Sequence, residues 1–182
     1  MILVISGPPG SGKTTVAEAF AHAHSCELIS AGAIFRKEAA DRGMTLERFG
    51  AYAEAHKEVD RKLDAAVAAD VERRAAKRQN VVVDGRLQPW LLARRGIPCF
   101  KVLIDAPLEV RSARVAGREA KLVSDVRQEI LERERSERTR YLKVYGIEVQ
   151  DASGFDLVID STSRTPEAIV ALIGERVASW AR

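Results

Sequence analysis

With 182 residues, 46% of them hydrophobic and 30% charged, the chain can build one globular domain with a real core and has no room for a second enzyme module. A formal net charge of +3 suits a small anionic ligand and is too weak to point to nucleic acid. Cys26 and Cys99 lie far apart in no metal-like spacing, no apolar run approaches the roughly 18 residues that cross a bilayer, and the first residues carry no basic leader, so the reducing cytoplasm is expected and a membrane partner is not. A monomer without a nucleic-acid partner is a separate expectation, which none of these features fixes.

In chain order, Ile2 to Ile5 reads as a buried strand, and residues 14–24 as a helix with Val16, Phe20 and Ala23 on one face. Leu28-Ile29 is a second short strand. Helical stretches follow over 32–42, 45–54 and 58–78. Val81-Val82-Val83 forms a strand that ends in Asp84-Gly85, and Phe100 to Ile104 forms another. Helices near 107–119 and 125–144 precede a last strand, Asp156 to Asp160. Thr165-Pro166-Glu167 then opens the final helix with a hydroxyl cap, a proline in the first turn and an acid at the positive dipole end; its apolar stripe is Ile169, Ile173, Val177 and Trp180. Apolar strands separated by helices predict an α/β fold with a parallel sheet covered on both faces. The helix-only stretch 32–78 interrupts the alternation and is the natural place for a mobile, substrate-binding lobe.

Between the first strand and the first helix stands Gly7-Pro8-Pro9-Gly10-Ser11-Gly12-Lys13-Thr14, a full match to G-x-x-x-x-G-K-S/T. Glycines there let successive backbone N–H groups turn toward phosphate oxygens, and the helix aims its positive end at the same place. Lys13 supplies a cation for the β- and γ-phosphates, and Thr14 a hydroxyl for Mg2+. Such sites need a second acid at a strand end. Asp84, Asp105 and Asp160 all qualify; Asp84, holding Mg2+ through water, is preferred because Gly85-Arg86 follows it directly.

Arg111, Arg114 and Arg118 recur at i, i+3, i+7 on one helix, and Arg133, Glu137 and Arg140 at i, i+4, i+7 on the next. The second set continues a stripe begun by Val126 and Ile130, which turns from apolar to ionic halfway along the helix. On spacing alone, a solvated face laced with weak ion pairs accounts for either set as well as a cleft does. The phosphate loop favours the cleft, because phosphoryl transfer calls for permanent cations around the moving group. Arg36 and Arg86 fall at the carboxyl edge of the sheet, where ligands bind in such folds. Asp60 suits a base or sugar and a solvated face equally well, while Asp64 reads as solvated. His22 and His24 point in different directions and do not make a metal site, and Trp90 and Tyr52 suit a pocket wall or plain packing.

Over nearly its whole length the chain resembles the cytidylate kinase family, in its compact archaeal branch. The resemblance rests on Gly7 to Thr15, on Ser30-Ala31-Gly32-Ala33-Ile34-Phe35-Arg36, on Asp84-Gly85-Arg86-Leu87 and on Glu132-Arg133-Glu134-Arg135-Ser136-Glu137-Arg138-Thr139-Arg140-Tyr141, with Asp160-Ser161 matching the residues before the family's last helix. Ala33 departs from the aspartate usual in that branch and agrees with the bacterial form, whose longer insert is absent here.

The resemblance implies a P-loop NTPase of the adenylate-kinase-like type, with a five-stranded parallel sheet in the order 2-3-1-4-5. It implies transfer from ATP to CMP or dCMP with Mg2+. ATP would bind Gly7, Pro8, Pro9, Gly10, Ser11, Gly12, Lys13, Thr14 and Thr15. The acceptor would be held by Ser30, Gly32, Arg36, Gly85, Arg86, Arg133 and Glu137, to which the placement of Asp60 among basic residues adds a candidate base or sugar contact that the resemblance itself does not supply. Lys13, Arg86, Arg114, Arg118 and Arg140 would carry the catalytic charge, with Arg140 reaching the phosphates. A single kinase domain, 1–182, would comprise a core (1–31, 79–110 and 145–182), a monophosphate lobe (about 32–78) and a lid (about 111–140). UMP, AMP and small metabolites such as shikimate or gluconate are the competing acceptors, and a nucleotide-dependent switch protein is the non-enzymatic alternative.

Overall fold

The computed structural model describes residues 1–149 and 151–180. Among them are five strands, β1 (Ile2–Ser6), β2 (Glu27–Ser30), β3 (Val81–Asp84), β4 (Phe100–Asp105) and β5 (Leu157–Asp160), and eight helices. The helices are α1 (Lys13–Ala23), α2 (Ala31–Asp41), α3 (Leu46–Ala55), α4 (Lys57–Ala76), α5 (Gln88–Arg94), α6 (Leu108–Glu119), α7 (Val123–Tyr145) and α8 (Pro166–Trp180). All four strand pairings are parallel, and the order is β2-β3-β1-β4-β5, as the resemblance implies.

Strand alternation divides the core into two layers, because successive side chains leave a strand on opposite faces. Leu3 and Ile5 face α1 and α8, packing with Val16, Phe20, Val102, Ile104 and Ile173. Ile2 and Val4 face the other way, against Val67, Val71 and Leu92 from α4 and α5, with Val81 and Val83 beside them. Parallel pairing brings every strand's carboxyl end to one edge. There Ser30 of β2 and Ile5 of β1 flank Asp84 in the register of the sheet.

Helix ends follow the local chemistry. Ser30 caps α2 by accepting from Ala33 N at 3.2 Å, and Thr165 accepts from Ala168 N at 3.3 Å in front of α8. α7 closes on Gly146, whose left-handed φ of 64° a side chain would resist. The sequence reading misses α5. Seven residues around Pro89 and Trp90 are too few to show a helical period, and the helix is held by packing of Leu92 into the core.

Candidate active site

Central strand β1 delivers the chain directly into the phosphate loop. A Cβ at Gly7 would stand 2.0 Å from Ile104 O of β4, so the turn needs glycine to pass beneath its neighbour. Two contacts fix the loop from outside its own sequence motif, and a third braces one of the residues that makes them. Arg111 Nη1 donates to Pro9 O (3.0 Å), Ser161 Oγ donates to Ser11 O (2.9 Å), and the same Arg111 reaches Glu134 of α7 at 2.8 Å. Lys13 opens α1 and folds back to donate to Pro8 O at 3.3 Å. Burial lowers its pKa to about 8, and the nearby Arg133 and Arg86 push in the same direction against Asp84 and Glu137.

Asp84 uses one oxygen twice: Oδ2 accepts from Thr14 Oγ1 and from Ser30 Oγ, each at 2.9 Å. Its other oxygen, Oδ1, is buried without a hydrogen-bond partner. Asp105 and Asp160, the competing strand-end acids, are exposed and bonded to the backbone of Ala106 and Thr162, outside the cleft. Among the described residues no group of three or more His, Cys, Asp or Glu could hold a metal unaided. The donor set fits a hard cation that takes most of its oxygens from a triphosphate and water, with Thr14 and Asp84 completing it.

On α7 the stripe turns from apolar to ionic because it changes neighbours. Val126 and Ile130 pack on Ala116, Val115 and Leu108 of the adjacent α6, and beyond them the helix borders open space. Glu137 there accepts from Arg133 Nε at Oε1 and from Arg86 Nε at Oε2, both at 2.9 Å. Burial by itself would raise this carboxyl; Arg133, Arg86 and Lys13 overcome that and hold its pKa down to about 2. Arg36 sits across the cleft on α2, with Nη1 so near Gly32 that a Cβ there would meet it at 3.2 Å.

Farther from the phosphate loop, Arg140 pairs through Nη1 with Asp60 Oδ1 of α4, and both residues are buried. Burial raises the Asp60 pKa, while Arg140 opposes the shift. Asp64 is not on a solvated face. It lies one turn beyond Asp60 on the buried stripe that continues to Val67 and Val71, accepting from Gln88 Nε2 (3.0 Å) and Tyr145 OH (2.7 Å). Burial raises its pKa to about 6 against those two hydrogen bonds. Gln88 also accepts from Leu87 N at 3.1 Å, and a Cβ at Gly85 would stand 2.0 Å from its Oε1. One cleft of about 1040 Å³ joins all these groups, from Pro9 and Lys13 through Arg86 and Glu137 to Asp60 and Asp64.

The three arginines of α6 part company, since their spacing spreads them around about 60° of the helix and their neighbours differ. Arg118 borders the cleft, exposed and paired with Glu119. Arg111 is buried under the phosphate loop. Arg114 turns to the segment after β5, donating to Ser161 Oγ (3.0 Å) and Ser161 O (2.6 Å), and does not border the cleft in this conformation. Trp90 packs edge-on to Phe155, and Tyr52 stacks on His56; neither borders the cleft. Arg111, expected with its set in the cleft, instead positions the phosphate loop, as does Ser161, and Gln88 is a positioning residue with no sequence signal of its own. A stronger signal for Ser161 was at hand in its place, directly after a strand-end aspartate.

The sequence profile of the cytidylate kinase-like family matches residues 2–163. A cytidylate kinase of Archaeoglobus fulgidus is 44% identical over 173 residues, covering 95% of this chain and 92% of that protein. One from Pyrococcus furiosus is 41% identical, covering 95% and 86%. Among solved structures, a shikimate kinase from Bacteroides thetaiotaomicron superimposes with a TM-score of 0.61 at 17% identity, covering 98% of each chain, a likeness of fold alone.

Proposed function

The chain belongs to the cytidylate kinase-like family, and from that premise we propose that its cleft transfers the γ-phosphoryl group of ATP to CMP or dCMP, giving ADP and the diphosphate. One observation carries the reading beyond fold: Lys13, Arg86 and Arg133 gather around one buried carboxylate, Glu137, beside the phosphate loop, so permanent cations converge where two phosphates would meet. Glu137 is held near pKa 2 by three cations, Asp84 Oδ2 already accepts two hydroxyls, and Asp60 is paired with Arg140. A hydroxyl acceptor such as shikimate or gluconate must lose a proton, whereas a nucleoside monophosphate brings an oxygen already ionised, its second pKa being about 6. That oxygen attacks the γ-phosphorus as the bond to the β-phosphate oxygen breaks, and no proton need move.

In this reading the phosphate loop, Lys13 and the start of α1 hold the triphosphate. Thr14 and Asp84 would hold Mg2+, which neutralises charge on the β- and γ-phosphates when bound. Arg36 and Arg86 hold the acceptor phosphate between α2 and β3. Arg133 and Glu137 border the same space from α7. Helices α2–α4 form the monophosphate lobe. The hairpin of α6 and α7 forms a lid over about 111–140, bringing Arg118, and Arg114 once released from Ser161, toward the donor. Every charge comes from one chain, which suits a monomer working in the cytoplasm. The test is ADP release from ATP with CMP, dCMP, UMP, AMP and shikimate in turn. Fast turnover with CMP or dCMP and slow turnover with the others is expected; equal rates with UMP or AMP would remove cytosine as the substrate base, and acceptor-independent turnover would favour the switch protein.

A further inference from the structure

Asp64 is a buried carboxylate to which the reading above gives no role. It spends its charge on two neutral donors, Gln88 Nε2 at 3.0 Å and Tyr145 OH at 2.7 Å. Neutral donors offset only part of the cost of burying a charge. What a carboxylate supplies there, and a neutral group does not, is direction. At pH 8, above its pKa of about 6, Asp64 can only accept. The Gln88 amide must then turn its NH2 toward Asp64, which aims Oε1 the other way, onto Leu87 N at 3.1 Å.

That N–H belongs to the peptide between Arg86 and Leu87. The same peptide is held at its other polar atom, since Ser6 Oγ of β1 donates to Arg86 O at 3.1 Å. One residue earlier, Gly85 N donates to Ile5 O at 3.2 Å. Gln88 packs so closely on Gly85 that a Cβ there would stand 2.0 Å from its Oε1 and 2.7 Å from its Cδ. Ser6, Leu87 and Gln88 are all buried, so water does not compete for these bonds. The turn that carries Arg86 is clamped by β1 on one side and by the Asp64–Gln88 pair on the other.

We propose that Asp64 is a positioning residue for Arg86: by fixing which way the Gln88 amide faces, it sets the peptide after Arg86 and with it the point from which the guanidinium reaches the acceptor phosphate. The inference rests on the acceptor role of Arg86 in the CMP reading and adds what holds that arginine in place. A reversed amide would set its NH2 against Leu87 N–H, donor against donor, and the turn would have to move. Misplacing a phosphate-binding charge by about 1 Å costs on the order of 100-fold in rate.

Kinetics at that pH and hydrogen exchange at the Leu87 amide test it together. Gln88→Met keeps the length of the side chain and removes both of its hydrogen bonds. Its kcat/KM for CMP should fall by about 10- to 100-fold, its KM for ATP should stay within about twofold of wild type, and Leu87 N–H should exchange at least about tenfold faster. Gln88→Glu sets two carboxylates against each other and should do the same. Adding Asp64→Asn to Gln88→Glu reverses the polarity of the pair and keeps its bonds: the new amide donates to the new carboxylate, whose other oxygen still accepts from Leu87 N. The double variant should recover both readouts to within about threefold of wild type, which loss of packing alone does not predict. A folded Gln88→Met with wild-type kcat/KM for CMP overturns the proposal, as does a double variant no better than Gln88→Glu. If either single variant fails to fold, a folded double variant with low kcat/KM for CMP overturns it equally. A wild-type protein that does not phosphorylate CMP overturns the CMP reading; Leu87 exchange, read without substrate, then still shows whether Asp64 sets the turn.

Discussion

Arg86, on the turn after β3, donates through Nε to Glu137 Oε2 at 2.9 Å and so ties the edge of the sheet to the middle of α7. Its side chain is 12% exposed and that of Glu137 is 5%, so the pair is largely shielded from solvent. The bond uses Nε and leaves both terminal nitrogens of Arg86 for a phosphate. Arg86→Ala should therefore lower kcat/KM for CMP by about 10- to 100-fold, the cost of a charge-assisted phosphate contact, and leave ATP affinity near wild type. Arg36→Ala should behave alike. Steady-state kinetics with each substrate varied in turn is the check; weakened ATP binding with an unchanged KM for CMP would move both residues to the donor side.

Removing Lys13 tests the phosphate loop directly. Lys13→Ala should lower kcat by at least about 100-fold, because a preorganised cation at the transferring group is lost. Circular dichroism should show an unchanged fold, since the side chain contributes one 3.3 Å bond to Pro8 O. A folded variant with wild-type kcat would mean the loop is not the donor site.

The pKa of Lys13 gives a pH signature. Burial lowers it from 10.5 to about 8, so its contribution to stability is fully present above 10.5 and is lost as pH falls through 8. A bound triphosphate supplies negative charge and restores the proton. ATP binding at pH 8 should therefore take up about half a proton, and affinity should weaken as pH rises above 8. Titration calorimetry in buffers of different ionisation enthalpy reads the uptake; a value of zero at pH 8 would contradict the shift.

Asp64 predicts a stability effect of opposite sign. Burial raises its pKa from 3.8 to about 6, so its contribution is fully present below 3.8 and is lost as pH rises through 6. Glu137 runs the other way: held at about 2, it contributes above 4.5 and loses that contribution as pH falls toward 2. Between pH 4 and pH 8, Asp64→Asn should gain on wild type by ~2–3 kcal/mol in denaturant unfolding. A pH-independent difference between the two would show that Asp64 titrates normally.

Closure of the lid is open to hydrogen exchange. The turn between α6 and α7, residues 120–122, is short and places Leu122 (69% exposed) and Val123 (50%) in solvent. Transfer to a monophosphate favours a site closed to water, and closure brings Arg118 inward. A bisubstrate analogue should slow exchange across α6, α7 and α2–α4 and leave β1, β3 and β4 as they are. Tight binding with unchanged exchange in both segments would show a rigid site.

Much of this protein is determined by local chemistry, and that part was legible. Short apolar strands, a capped α8 and the glycine loop at 7–12 depend on residues close in sequence, so the α/β fold, the phosphate cradle and the helical bounds to within a few residues could be read directly. The change from Val126 and Ile130 to Glu137 and Arg140 even announced an ionic cleft along one helix. Partners across the fold were not legible, because spacing along one helix does not say what the neighbouring element offers. Asp64 reads as solvated until Gln88 and Tyr145 arrive from α5 and α7; Arg114 reads as a cleft residue until Ser161 of the distant chain end takes its guanidinium. Asp84 was preferred over Asp105 and Asp160 for the Gly85-Arg86 that follows it, but its partners came only with the parallel register that sets Ser30 and Ile5 beside it and the β1 loop that brings Thr14 onto it. A buried charge is defined by what pairs with it, and that pairing is decided when the helices close on the sheet.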